Sequence, residues 1–261
     1  MASPIPPQSP PPKPPRRARR RWVSAAIFLL IGGLSGTILR AVISPPPPLI
    51  AGSPADLALK ADIQARALTL PLVKKLMADP AWSHHEAYQT VPVSDDTPRI
   101  TTGPLGSSTG IGAYQHIFVH DDDAPQHPVL NILYLGTSTT SWPGVVHGGL
   151  LATVLDEHAA RGALADPALR SASVGVLTAN LELHYRRPTL AGEFYVARAR
   201  AIPDTELEPK ERGKRQRKIW VDVSLETMDG KECVGGRALF IVPRGGKALP
   251  SGAVTLPPSN R

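Results

Sequence analysis

The chain has 261 residues and a mass of 27.8 kDa, ample for a sizeable core, so a peptide hormone or a disulfide-built miniature is excluded. Its 29 prolines are about double the usual share, which marks part of the chain as non-globular. The net charge of +7 belongs to the front: Lys13, Arg16, Arg17, Arg19, Arg20, Arg21 and Arg40 precede the first acid, Asp56, and the remainder holds 22 basic against 22 acidic residues. A nucleic-acid-binding domain needs basic residues clustered on a folded face, so no nucleic-acid partner is expected. The single Cys233 rules out an intramolecular disulfide and any multi-cysteine metal site.

Residues 1–21 carry eight prolines, no acid and little to bury, and read as a disordered Pro/Arg-rich tail. From Trp22 to Ile43 the chain runs for 22 residues whose only charge is Arg40, close enough to the end to snorkel. That length makes about 33 Å of helix, enough for a hydrocarbon core of about 30 Å, so residues 22–43 read as a single transmembrane helix. A cleaved targeting sequence competes with a retained anchor, because an Arg-rich, acid-free front also suits a mitochondrial presequence. Gly32 and Gly36 form a small-xxx-small pair, which in a span is ordinary helix composition. The basic cluster places the tail on the cytosolic or matrix side. The basic, acid-free tail favours a mitochondrial membrane, with the endoplasmic reticulum as the alternative. Neither Asn131 nor Asn180 begins a glycosylation acceptor.

Residues 44–100 read as a Pro-rich linker and helical stalk. Pro45 to Pro48 form a stiff spacer, and Ala55 to Leu68 carry Leu57, Leu59, Ile63, Ala67 and Leu68 on one side of a helix that Pro71 interrupts and Met77 ends. His84, His85 and Glu86 are expected on a loop, solvated, and no metal site is assigned. Residues 101–243 form the folded domain, and 244–261 a flexible C-terminal tail. Strand-like runs cover Ile111 to His120 and Val129 to Leu135. A helix begins at His147-Gly148-Gly149 and nears its end at Gly162, with Leu150, Leu151, Val154, Leu155, His158 and Ala159 at helical spacing. Four more strands follow: Ser173 to Arg186, Gly192 to Ala201, Gln216 to Thr227, and Glu232 to Val242 after an Asp229-Gly230 turn. Strict alternation puts Leu177, Ala179, Leu181, Leu183 and Tyr185 on one face and Thr178, Asn180, Glu182, His184 and Arg186 on the other. The pattern is α+β, an antiparallel sheet wrapped around one long helix. With one helix to cover it, such a sheet calls for a second copy of the domain as neighbour.

The helix start has two readings: its glycines permit close packing, with Asp156 a solvated helix residue and His147 a capping or core histidine, or it carries chemistry. Its first turn leaves backbone N–H groups without intrahelical partners at the positive end of the dipole, and Gly148 and Gly149 put no side chain in front of theirs. Such N–H groups stabilise the oxyanion formed when a carbonyl is attacked. Nine positions after His147 stands Asp156, a carboxylate suited to general-base work on water or to direct nucleophilic attack.

These residues, with Leu177-Thr178-Ala179-Asn180-Leu181 and Tyr185-Arg186-Arg187-Pro188, closely resemble the hotdog-fold acyl-CoA thioesterases, in the branch of PaaI-like and thioesterase-superfamily-member-4-like proteins. The resemblance covers roughly residues 105–243. It implies a hotdog fold preceded by the membrane helix, hydrolysis of acyl-CoA thioesters without metal or other cofactor, and at least a homodimer, possible also as a dimer of dimers. By position it implies that Gly148 or Gly149 supplies the oxyanion N–H with His147 shaping that site. Asp156 becomes the catalytic carboxylate, and Thr178 the hydroxyl that orients water or the carboxylate. The strand bearing Asn180, Arg186 and Arg187 would bind substrate near the pantetheine and phosphate entrance. The chain departs from some members in carrying Ser141 and Trp142 where they have an asparagine before the His. A non-catalytic acyl-CoA binder or scaffold is the rival expectation. Lys210, Arg212, Lys214, Arg215, Arg217 and Lys218 crowd one inter-strand connection, a coenzyme A phosphate clamp or a solvated hairpin. Cys233 is expected to be buried.

Helix geometry adds one more expectation. Nine residues bring Asp156 about 13.5 Å along the axis and half a turn round from His147, so one helix cannot aim both at one thioester. Two antiparallel copies across a two-fold axis can.

Overall fold

A computed structural model describes residues 16–43, 49–87, 100–120, 129–170 and 175–243. The expected N-terminal tail up to residue 15, the spacer Pro45 to Pro48 and the C-terminal tail 244–261 lie outside the described residues. The chain forms two compact units, Met1–Pro45 and Pro46–Arg261.

In the first unit, helix α1 runs Arg16–Ile43, so helix starts six residues before the expected boundary at Trp22. Arginine is a good helix former and the run Arg16 to Arg21 contains no proline, so nothing local stops the helix from extending back through it. Its portion Arg21–Ile43 has a mean hydropathy of 2.0 and is long and apolar enough to cross a membrane.

The second unit opens with α2, Pro54–Thr69, and α3, Pro71–Ala78. Ser53 caps α2 by accepting the Asp56 N–H on its side chain, Pro54 stands in the first turn, and Pro71 breaks the helix as expected. Strands β1 (Trp82–Glu86), β2 (Gln115–His120) and β3 (Val129–Leu135) follow, then a short hairpin of β4 (Thr140–Trp142) and β5 (Val145–Val146). Helix α4 spans Gly148–Leu164 and α5 Pro167–Arg170. The chain closes with β6 (Leu177–Tyr185), β7 (Glu193–Ala201), β8 (Lys218–Thr227) and β9 (Glu232–Ile241). Seven strands make one antiparallel sheet in the order β1-β2-β3-β7-β8-β9-β6.

The sheet has a helical layer on each face. On one face, α4 sets Leu151, Val154, Leu155, Ala159 and Ala163 against Leu133, Leu135, Tyr195, Ala197, Val221 and Phe240. Gly162 does not stop this helix; it lets it close on the sheet, because a Cβ there would lie 2.8 Å from Ala199 Cβ and 3.1 Å from Val221 Cγ1. On the other face, Ile63, Ala67, Val73 and Leu76 of α2 and α3 pack on Phe118, Leu130, Ile132, Tyr134, Phe194 and Val196. The expected stalk is thus a structural layer. It covers β2, β3 and β7, which explains why β3 is buried along its whole length.

Two further expectations are corrected. His84, His85 and Glu86 lie on β1, paired to β2, and not on a loop: the strand is short and polar because it is the sheet's edge. The strand expected from Ile111 starts only at Gln115. Residues 100–112 form a turn-rich ribbon in which Gly106, Gly110 and Gly112 sit against other carbonyls with no room for a Cβ.

Candidate active site

The start of α4 is built by its neighbours. His147 is the N-cap, with its Nδ1 accepting the Gly149 N–H at 2.9 Å, while its own N–H donates to Thr139 O at 2.8 Å. This cap decides between the two glycines. The Gly149 N–H is taken by the imidazole, so of the expected oxyanion donors it is Gly148 whose N–H has no partner among the described residues. Tyr185, at the far end of β6, reaches across and donates from its OH to Gly148 O at 2.7 Å. Its ring lies 3.5 Å from where a Gly148 Cβ would be. Tyr185 thus fixes the helix start to the sheet. In the sequence this contact shows only as an aromatic in an alternating strand.

Asp156 lies half-buried in the middle of α4, and Thr178 Oγ1 donates to its Oδ1 at 2.8 Å. The contact depends on an irregularity that strict alternation misses. Thr178 pairs with Phe240 and Asn180 with Leu239, so Ala179 forms a β-bulge. Residues opposite each other on antiparallel strands share a face. Phe240 is buried under α4, so Thr178 faces the helix, and Asn180 faces the other way. The expected common face for Thr178 and Asn180 is therefore corrected, and within one chain Asn180 is not brought to Asp156. Beyond the bulge, Leu181, Leu183 and Tyr185 share one face as expected, and it is the face toward α4, while Glu182 and His184 face away.

Strand β6 thus runs antiparallel to α4 and touches it at both ends, at Asp156 through Thr178 and at Gly148 through Tyr185. Arg186 and Arg187 follow at the Gly148 end. Their backbone N–H groups donate to Cys233 O at 2.8 and 3.1 Å, Arg186 Nε pairs with Glu232 Oε1 at 2.5 Å, and Arg187 Nη1 donates to Glu232 O at 2.7 Å. Both side chains remain exposed. In the basic connection between β7 and β8, Lys210 pairs with Glu208, Lys214 and Lys218 with Glu211, Arg215 with the buried Asp166, Arg212 donates to Leu207 O, and Arg217 is exposed. Cys233 is buried, and that burial raises its thiol above the ordinary value. Among the described residues no group of three or more His, Cys, Asp or Glu is placed to hold a metal ion.

An antiparallel sheet wrapped on one face around a single long helix is the hotdog fold. No protein-family model matches the chain. Over 142 residues it is 25% identical to the uncharacterized mitochondrial membrane protein FMP10 of Saccharomyces cerevisiae, a match covering 53% of this chain and 52% of the yeast protein, so the chain spans about half the length of that curated relative. Solved structures similar to it include a Bacillus halodurans protein crystallised with CoA, at 22% identity, covering 45% of this chain and 68% of that one with a TM-score of 0.35. They also include the Escherichia coli PaaI protein from the phenylacetic acid degradation operon, at 15% identity, covering 45% and 74% with a TM-score of 0.37.

Proposed function

We propose that the chain is a membrane-anchored hydrolase of acyl-CoA thioesters, acting as a homodimer whose two sites each take residues from both copies. The observation that carries this reading is the pair of Asp156, held by Thr178 at 2.8 Å, and the unpartnered Gly148 N–H one stretch of helix away. A carboxylate beside an attacking water and a helix-start N–H aimed at the developing oxyanion are the two parts that acyl transfer needs. The Gly148 N–H receives the thioester oxygen. Asp156 then takes a proton from water as it adds to the carbonyl carbon, or adds itself and is later released by water. Collapse of the tetrahedral intermediate breaks the C–S bond, and the departing CoA thiolate is protonated to the thiol.

The two parts lie about 12 Å apart along α4, eight residues at 1.5 Å each, which is too far for one thioester. Strand β6 supports the answer. Among the described residues it pairs on one side only, with β9, and it is exposed over most of its length, with Leu177 and Tyr185 both 53% exposed. A second copy pairing along this edge brings the Gly148 end of one α4 toward Asp156 of the other. Arg186 and Arg187, exposed beside the Gly148 end, suit the anionic portion of coenzyme A. Helix α1 serves as a single-pass anchor. The basic, acid-free front and the name of the yeast relative both support a mitochondrial membrane.

The test is release of free CoA from acyl-CoAs of graded chain length by the full chain in detergent. Asp156→Asn is isosteric and should lower kcat at least about a hundred-fold while leaving the melting temperature near wild type. A loss of ten-fold or less overturns the hydrolase in favour of an acyl-CoA binder. Gly148→Pro removes the oxyanion donor at a position where proline suits a helix. It should be inactive alone, yet mixed with Asp156→Asn after subunit exchange it should return about a quarter of wild-type activity, because half the dimers are mixed and each holds one intact site. No recovery from demonstrated mixed dimers means that each site belongs to one chain.

A further inference from the structure

Asp56 is a buried carboxylate, 4% exposed, in the first turn of α2, and lies far in sequence from every residue of the site. A buried charge is retained only where hydrogen bonds replace water. Its Oδ2 accepts the Gly52 N–H at 2.8 Å and its Oδ1 the Ser108 N–H at 2.7 Å. Ser108 holds the carboxyl below its ordinary value against the opposing effect of burial.

From Ser108 the route continues through the chain to neighbouring hydrogen bonds. The neighbouring Thr109 O accepts both the backbone N–H and the Oγ of Ser138, at 2.8 and 2.7 Å, and Gly110 O accepts the Gly136 N–H at 2.7 Å. Gly136 has no space for a Cβ because the Thr109 carbonyl occupies it, so ribbon and strand exit are in backbone contact. Gly136 O in turn accepts Thr139 Oγ1 at 2.6 Å, and Thr139 O accepts the His147 N–H at 2.8 Å. The next residue is Gly148. Most links join buried or backbone groups: Ser107, Ser108, Thr109 and Thr139 are each less than a tenth exposed, and the exposed Ser138 also holds Thr109 O through its backbone N–H.

We infer that Asp56 is a positioning residue for the oxyanion end of the site, acting through the 107–110 ribbon and the Gly136–Thr139 turn on the backbone of His147 and Gly148. This rests on the proposed hydrolase reading for its catalytic meaning, but the mechanical link stands on the bonds alone. Charge on Asp56 gives two N–H groups from separate segments one common acceptor. Without it the ribbon loses its hold on α2, and the Gly148 N–H loses the fixed direction on which a preorganised donor depends.

Hydrogen exchange on the full chain, read peptide by peptide, tests the link apart from activity. Asp56→Ala should speed exchange about ten-fold in residues 105–112 and also in 137–150, and leave the β8–β9 hairpin, 219–241, unchanged. Asp56→Asn, which keeps an oxygen for the Ser108 N–H, should recover part of that protection. Ser53→Ala, which removes the helix cap but leaves Asp56, should unprotect only α2. With acyl-CoA, Asp56→Ala should lose about ten-fold in kcat with KM within two-fold of wild type. Should Asp56→Ala not fold, Ser138→Ala weakens a later link by removing the hydroxyl bond to Thr109 O while the Ser138 N–H bond remains, and should speed exchange about three-fold in 137–150 alone. Faster exchange that stops at residue 112, or an unchanged kcat, overturns the inference. Absence of CoA release by the wild type overturns the hydrolase reading instead, and the exchange result still decides the link.

Discussion

Two helical layers lie on opposite faces of one sheet, and they differ in what they contribute. Helix α4 sets Asp156 against the Thr178 hydroxyl and the Gly148 carbonyl against the Tyr185 hydroxyl, so its position is set by polar contacts as well as by its apolar face. The α2–α3 hairpin offers the sheet Ile63, Ala67, Val73 and Leu76, and its only buried acid, Asp56, points to the ribbon and not to a pocket. Equal burial on two faces therefore does not mean equal roles: on the proposed reading one layer carries chemistry, while the other covers the sheet and would steady the first.

Truncation of the two cores probes that division most strongly. Phe118→Ala under the hairpin and Leu155→Ala under α4 each remove a fully buried side chain and should each cost about 3–5 kcal/mol in chemical denaturation. Their effects on turnover per folded molecule should part: Phe118→Ala stays within about two-fold of wild type, while Leu155→Ala, next to Asp156, loses about ten-fold or more. Equal losses would erase the distinction. A smaller effect is expected at Thr178→Val, which removes one hydrogen bond to the carboxylate and should cost about ten-fold in kcat, roughly 1.4 kcal/mol, with stability little changed.

The smallest effect belongs to the hairpin side. Burial, with His84 and His85 close by, pushes His116 down to about 4 from an ordinary 6.5, and His84 Nδ1 lies 2.9 Å from its Nε2. Between those values the unfolded chain binds a proton that the folded chain refuses, so stability should fall as pH drops from about 6.5 to about 4. Tyr114 and Phe118 are the other rings packed on His116, and Glu86 is its partner across the strands. His116→Gln should flatten the melting temperature over that interval while leaving kcat unchanged; an unaltered slope would assign the acid sensitivity to other groups.

What could be read in the sequence follows the same division. The start of α4 was legible because His147-Gly148-Gly149 before an apolar run at helical spacing is a local pattern. The long strands and the Asp229-Gly230 turn were legible from alternation. The bulge at Ala179 was not, since Leu177 to Tyr185 alternates without interruption and only pairing with Leu239 and Phe240 creates the extra residue. Competition between the two glycine N–H groups was also hidden, because it turns on where the His147 ring points. Strand β1 is too short and polar to show a period, and the hairpin's apolar side is weak until the outer face of β3 is there to receive it.

The two borders of the sheet have unlike character. At one border stands β1, five residues long, with His84 and Glu86 exposed on it; at the other stands β6, nine residues long and open along its outer side. A polar, short border resists addition of further strands, and a long open one invites it. If β6 meets its own copy in the antiparallel sense, the joined sheet has β1 at both ends and nothing left on which to grow. Assembly along the sheet would then halt at two copies by its own geometry: the same strand that holds Thr178 against Asp156 would set the limit on how many chains can join.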